Sequence, residues 1–250
     1  MLRNTELENS APSVVGNPTE TYYSDLSQIL SQYSHTIGGY TMKKVLVILL
    51  MCSMIFVFAT TAQSSMYSKT LNELMAAVTG ETQASANYLA FADAADKEGH
   101  KEIAAIFRAF SDSELKHASD EFIIARKIDS SAKKPTPNKV TPGTTKENLQ
   151  AAINGETLEY SVLYPKSITV ALKENMFEAA KVFDMARQAE KSHANIFSDL
   201  LENIDNFDRV KYARIYRCTT CGAIILTTRP EFCLLCDEMG EVMTEYEIVK

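Results

Sequence analysis

The chain has 250 residues, 46% of them apolar and 23% charged, which excludes a wholly disordered protein and a polytopic membrane protein. Asp and Glu number 32 against 25 Lys and Arg, a net charge of −7, so the chain is a poor candidate for nucleic-acid binding, which wants a basic face. There are only four His and five Cys, and their placement carries most of the information.

The N-terminus reads as leader. Val45 to Ala59 is an apolar run of 15 residues broken only by Ser53, short of the about 20 that a membrane span needs. Lys43 and Lys44 precede it and Thr60, Thr61 and Ala62 follow it. Positive flank, short apolar stretch and small residues form the order of a secretory signal peptide, with cleavage after Ala62. Residues 1–62 are therefore expected to be leader, 42–62 the signal peptide. Met42-Lys43-Lys44 resembles a translation start, so 1–41, which lack periodicity, are expected to lie outside the translated protein. Cys52 follows Met51, which is not small, and reads as part of the apolar run rather than a lipoprotein cysteine. Export to a bacterial periplasm is the expectation. An uncleaved leader would anchor the protein in a membrane, and a cleaved one leaves no membrane contact.

Residues 63–206 read as a helical domain. Apolar residues recur at three and four, and the expected helices are about 68–97, 100–127, 145–173 and 175–204. Each is long enough to span a bundle. The long joint holds Pro135, Pro137, Pro142 and Gly143, and Thr144 with Glu147 predicts a capping box opening the third helix. His100, in the first joint, is expected to be exposed. Phe107, Phe110 and Phe183, at helical spacing, read as core.

This domain contains a repeat. Gly80-Glu81-Thr82 recurs as Gly155-Glu156-Thr157 at an offset of 75, Ile106-Phe107 as Val182-Phe183 at 76, and Glu114-x-x-His117 as Glu190-x-x-His193 at 76. Two helix pairs of one design follow. A spacing of three puts Glu and His on one helix face, a turn apart. One Glu from each first helix and one Glu-x-x-His from each second helix is the donor set of di-iron carboxylate bundles. The chemistry agrees: carboxylates bridge cations, imidazole suits iron, manganese or zinc, and buried carboxylates without a cation are costly. A single Glu-x-x-His is usually a solvated face; two copies at matched spacing are hard to obtain by chance. Glu159 breaks the symmetry, because its counterpart is Ala84. It reads either as a surface residue or as a seventh ligand.

Residues 207–250 change character. Short strand-like stretches (213–217, 223–227, 242–248) alternate with turns. Cys218-Thr-Thr-Cys221 and Cys233-Leu-Leu-Cys236 are two CxxC pairs separated by 11 residues, a strong signal for a tetrahedral four-cysteine metal site. So small a segment needs a metal to hold its fold. Disulfides are the competing reading in an oxidising compartment. Spacing does not separate iron from zinc.

These motifs together resemble the rubrerythrin family over roughly Lys69 to Lys250. The resemblance rests on Gly80-Glu-Thr-Gln-Ala84, Glu114-x-x-His117, Gly155-Glu-Thr-x-Glu159-Tyr160, Tyr164-Pro165, Glu190-x-x-His193 and both CxxC pairs, in this order. It implies a mainly α fold: a ferritin-like four-helix bundle followed by a small rubredoxin-like β domain with a four-cysteine metal site. It implies two irons on Glu81, Glu114, His117, Glu156, Glu159, Glu190 and His193, with Glu159 and His117 exchanging at one iron with redox state. Tyr88 and Tyr164 match tyrosines that hydrogen-bond the ligating carboxylates. One iron, or a zinc, would sit on Cys218, Cys221, Cys233 and Cys236. Two departures stand out. Leu234 and Asp237 replace the Pro and Gly usual in the second knuckle, where Asp tolerates the positive φ better than most residues. The export signal is the other, since many relatives are cytoplasmic.

The resemblance implies a peroxidase of oxidative-stress defence. A separate redox donor, a reductase or a rubredoxin-like protein, would feed the thiolate-bound iron, that iron would feed the di-iron pair, and hydrogen peroxide would be reduced to water. It also implies a homodimer or higher homo-oligomer, which would bring the rubredoxin-like domain of one chain near the bundle of another, so the transfer could run between subunits. The rival reading is a non-catalytic metal-binding or iron-storing protein with a structural zinc on the cysteines. A third is a ferroxidase using the same residues. No nucleotide fingerprint, phosphate loop or Ser/His/Asp arrangement is present, so NAD(P)H would act only through a separate reductase.

Overall fold

The computed structural model describes residues 67–206, 214–226, 228–240 and 243–247. The leader readings on 1–62 lie outside them. Among the described residues no helix is long and apolar enough to cross a membrane.

Helix α1 (Ser68–Glu98) ends at Gly99, whose φ of 88° is the left-handed cap conformation that glycine adopts without strain. Helix α2 (Lys101–Ile128) follows at once and lies against α1 along its length. His100 sits in the turn between them, half-buried rather than fully exposed. Thr144 opens helix α3 (Thr145–Leu158) with both halves of the expected capping box: its side chain accepts from the Glu147 N–H, and Glu147 accepts from the Thr144 N–H at 2.8 Å.

The expected third helix, 145–173, is not continuous. A π-helical turn, Glu159–Leu163, separates α3 from α4 (Tyr164–Lys173). Pro165 lies in the first turn of α4 and has no N–H to continue the ladder. A π-turn carries one residue more than the α-helical path it replaces. The repeat records this insertion: the offset is 75 at Gly155 and 76 from Tyr164 onward. Asn175, at φ 58°, turns the chain into α5 (Phe177–Glu202).

Two apolar clusters fill the bundle. One is aromatic, with Tyr88, Phe91, Phe107, Phe110 and Phe197. The other holds Leu74, Ile124, Tyr164, Ala171 and Phe183. Glu81, Glu114, His117, Glu156, Glu190 and His193 are all buried polar residues of the same four-helix packing.

The C-terminal segment forms an antiparallel sheet of β1 (Arg214–Cys218), β2 (Ile224–Leu226) and β3 (Met243–Glu247) in the order β2-β1-β3. The strands fall inside the expected stretches, except that β1 runs one residue further, to Cys218. Register pairs Tyr216 with Ile225 on one side and Glu245 on the other. Ile215 and Ile224 join the aromatic cluster of the bundle, so the sheet shares its core. Tyr246 adds a hydrogen bond of 2.8 Å to Asp112 on α2.

Candidate metal centres

Helical spacing delivers the bundle donors. Glu114 and His117 share a face of α2, Glu190 and His193 a face of α5, and α1 and α3 bring Glu81 and Glu156 opposite them. The result is two overlapping groups: Glu81, Glu114, His117 and Glu190, and Glu114, Glu156, Glu190 and His193, with ligand atoms in each within 4.8 Å of one another. Glu114 and Glu190 belong to both groups, the position of bridging carboxylates. Glu190 places one oxygen 2.6 Å from His117 Nδ1 and the other 2.6 Å from His193 Nδ1.

The surroundings demand cations. Glu81 Oε2, Glu114 Oε1 and Glu156 Oε2 are buried without a hydrogen-bond partner, and the Glu190 oxygens meet only the two imidazoles. Buried polar atoms are normally satisfied, and this set of oxygen and nitrogen donors fits a pair of divalent metals. Burial, together with neighbouring carboxylates, holds Glu81 and Glu156 well above the usual carboxylate range. Burial would also raise Glu190, but the His117 and His193 imidazoles outweigh it and hold Glu190 low. Burial opposes the charged imidazoles, yet Glu190 beside them raises both.

The surrounding side chains orient the donors. Tyr88 donates to Glu156 Oε1, and Tyr164 donates to Glu81 Oε1. Phe110 sets its edge against His193, ring centroids 4.6 Å apart. His117 Nε2 lies 3.0 Å from the Cys221 carbonyl oxygen. That contact places the hydrogen on Nε2 and leaves Nδ1 free for a metal.

Glu159 is in neither four-residue group. It is half-buried on the π-turn, with Oε1 3.6 Å from where a Cβ on Gly80 would lie. It lines a cleft of about 200 Å³ between α1 and α3, together with Gly80, Ala84, Tyr88 and Gly155. Its carboxyl stays close enough to raise Glu81. Glu121 is the residue that sequence reasoning missed. It is fully buried on α2 and meets the Tyr164 hydroxyl at 2.8 Å. Its signal was available, seven residues after Glu114 and four after His117 on the same helix face.

The four cysteines form the second centre. Their sulfurs lie within 4.8 Å of one another. All four are free thiols, and Cys218–Cys236 and Cys221–Cys233 are each 3.6 Å apart, well beyond a disulfide bond of about 2.05 Å. The knuckles close by N–H donation from Gly222 to the Cys218 carbonyl (3.0 Å) and from Asp237 to the Cys233 carbonyl (2.8 Å). Asp237 takes the positive φ, 58°, expected of the residue that replaces glycine. The first knuckle rests on the bundle: besides His117 and Cys221, Ser113 Oγ donates to the Gly222 carbonyl at 2.5 Å.

The rubrerythrin family profile matches residues 72–201. The chain belongs to the rubrerythrin family. Nigerythrin from Nitratidesulfovibrio vulgaris is 34% identical over 177 residues, 71% of this chain and 86% of nigerythrin. A rubrerythrin from Porphyromonas gingivalis is 33% identical over 175 residues, 68% of this chain and 86% of that protein. A nigerythrin structure described as fully reduced and all ferrous matches with a TM-score of 0.68 at 34% identity, covering 71% of this chain and 86% of that one. The rubrerythrin match runs through α1, α2, α3, the π-turn, α4 and most of α5, and so includes every donor of the bundle.

Proposed function

We propose that the protein reduces hydrogen peroxide to water in oxidative-stress defence, with the four-cysteine centre as its internal electron donor. The single observation that carries this is the 3.0 Å contact between His117 Nε2 and the Cys221 carbonyl. One hydrogen bond thereby joins a donor of the bundle site to a donor of the thiolate site. A structural zinc site would have no need of that junction.

Glu81 with His117, and Glu156 with His193, would hold one iron each; Glu114 and Glu190 would bridge, and Glu159 would be a further ligand from the rim. Cys218, Cys221, Cys233 and Cys236 would hold the third iron in a closed site suited only to electron transfer. Iron is the assignment because the matched nigerythrin is described as all ferrous. Bound there, the metals supply Lewis acidity and the two electrons that peroxide reduction requires.

The residues do the rest. Tyr88 and Tyr164 fix the outer carboxylates, so the donors need little reorganisation. Phe110 and Phe197, ring centroids 4.2 Å apart, exclude water from the His193 side. The cleft beside Glu159 gives a small oxidant a route between α1 and α3, and its Gly80, Ala84 and Gly155 keep that route open. A separate reductase or rubredoxin-like protein would supply electrons, and the apolar run at 45–59 after Lys43-Lys44 supports an exported location.

The test is a visible spectrum of the iron-loaded protein, reduced anaerobically and given stoichiometric hydrogen peroxide. A thiolate–iron band that bleaches on reduction and returns with peroxide is expected. One zinc per chain and no such band would overturn the electron route and leave a metal-oxidising or storage role.

A further inference from the structure

Among the buried positions at which the duplicated halves differ, one stands directly behind a tyrosine that supports a metal donor. Tyr88 and Tyr164 are related by the offset of 76, and each donates to an outer carboxylate, Glu156 and Glu81 respectively. Behind Tyr88 stands Phe197, ring centroids 5.3 Å apart. The residue 76 positions before Phe197 is Glu121. One tyrosine is therefore backed by a phenyl ring and the other by a carboxyl group.

Glu121 is 0% exposed and belongs to neither metal-donor group. Its Oε1 lies 2.8 Å from the Tyr164 hydroxyl, while Oε2 is buried without a partner. Tyr164 thus stands between two carboxyl groups, and a phenol has one hydrogen. That hydrogen serves one of the two bonds, so the other must come from a carboxyl. Glu81 faces the metal site, and a cation there makes it the anion. The second hydrogen falls to Glu121.

We propose that Glu121 is a positioning residue, a neutral carboxylic acid whose O–H donates to Tyr164 and so directs the Tyr164 hydrogen onto Glu81. The groups around it agree. His117 and Asp120 on α2, Tyr164 on α4, Glu190 on α5 and Glu81 on α1 face this carboxyl, and burial pushes it up to about 8. An ionised Glu121 would leave a buried charge with a single partner, which is costly. The consequence is asymmetry: one end of the metal pair has a hydrogen-bonded acid behind its carboxylate and the other has an apolar wall. The proposal rests on the bundle binding two metals and is independent of peroxide chemistry.

The test uses the full chain loaded with zinc, which is redox-silent, at neutral pH. Infrared difference spectra of wild type minus Glu121→Gln should contain the carbonyl stretch of a neutral carboxylic acid, shifted in D2O and lost in the variant. Absence of that band from wild type overturns the proposal. Cobalt(II) loading gives a second reading. Gln can still donate to Tyr164, and Leu leaves Glu81 as the one acceptor for the Tyr164 hydrogen, so E121Q and Glu121→Leu should both keep the wild-type visible spectrum, whereas Tyr164→Phe, which removes that hydrogen, should shift it. An E121L spectrum that departs from wild type would show that the Tyr164 hydrogen lies on an ionised Glu121 in the wild type and reaches Glu81 only when that carboxylate is removed, and would overturn the proposal. A wild-type chain that takes up no metal pair would remove the premise, and that is seen before any variant is compared.

Discussion

Gly222→Ala is the substitution that tests whether the two centres communicate through the contact between them. Gly222 has φ 81°, and an added Cβ would overlap His117 Nε2 and lie 2.8 Å from Ser113 Oγ. The left-handed conformation costs a residue with a side chain about 1–2 kcal/mol. To relieve the overlap the knuckle must retreat, which breaks the Ser113–Gly222 and His117–Cys221 hydrogen bonds, at about 1 kcal/mol each. The left-handed cost falls on the knuckle whether docked or not, so the two lost bonds disfavour the docked knuckle by about 2 kcal/mol, roughly thirtyfold in the docked-to-undocked ratio. Re-oxidation of the thiolate-bound iron after peroxide addition to reduced protein, followed by stopped flow, should slow by about tenfold or more. Metal content at both centres should remain that of wild type, because neither donor set is altered. An unchanged re-oxidation rate with both centres loaded would refute the reasoning, since electrons would then reach the bundle without this contact.

Three further outcomes are expected. Deleting Ser161 from the π-turn should return 159–163 to α-helical register and give Glu156 and Tyr164 the spacing of Glu81 and Tyr88, so the metal stoichiometry of the bundle by metal analysis and the helical amplitude in far-ultraviolet circular dichroism should both be kept; loss of the metal pair would contradict the reading of the π-turn as an insertion. Phe110→Ala removes a ring packed on His193 and Phe197; it should destabilise by about 3–5 kcal/mol, read as a fall of about 10 °C in Tm. Metal uptake should release protons: Glu81, Glu156, His117 and His193 all sit above their usual ranges in the metal-free bundle. They hold protons that a metal must displace, so affinity should rise with pH and fall as pH drops. Calorimetry in two buffers of different ionisation enthalpy measures the protons released, and a pH-independent affinity would contradict the sign.

Much of this protein was legible because its chemistry is written at helical spacing. Glu-x-x-His puts two donors on one face whatever the helix packs against, and the duplication supplies the complementary pair. The capping box at Thr144 and Glu147 and the two cysteine knuckles are local in the same sense, since each depends on residues three apart and on backbone they themselves shape. Even the π-turn left a trace, the change of offset from 75 to 76, although periodicity alone reads 145–173 as one helix.

What the tertiary structure decided lies between segments remote in sequence. Glu159 follows Glu156 by three residues at the end of regular helix, and only the packing of α1 against α3 decides that it lines the cleft beside Gly80. Glu121 has the spacing of a donor, yet its role depends on Tyr164, which arrives 43 residues later on another helix. The reason for glycine at 222 is twofold: a knuckle conformation that a CxxC-Gly motif announces, and the approach of His117 from α2, remote in sequence, which no local pattern encodes. Spacing along a helix determines which groups face together; only packing determines what they face.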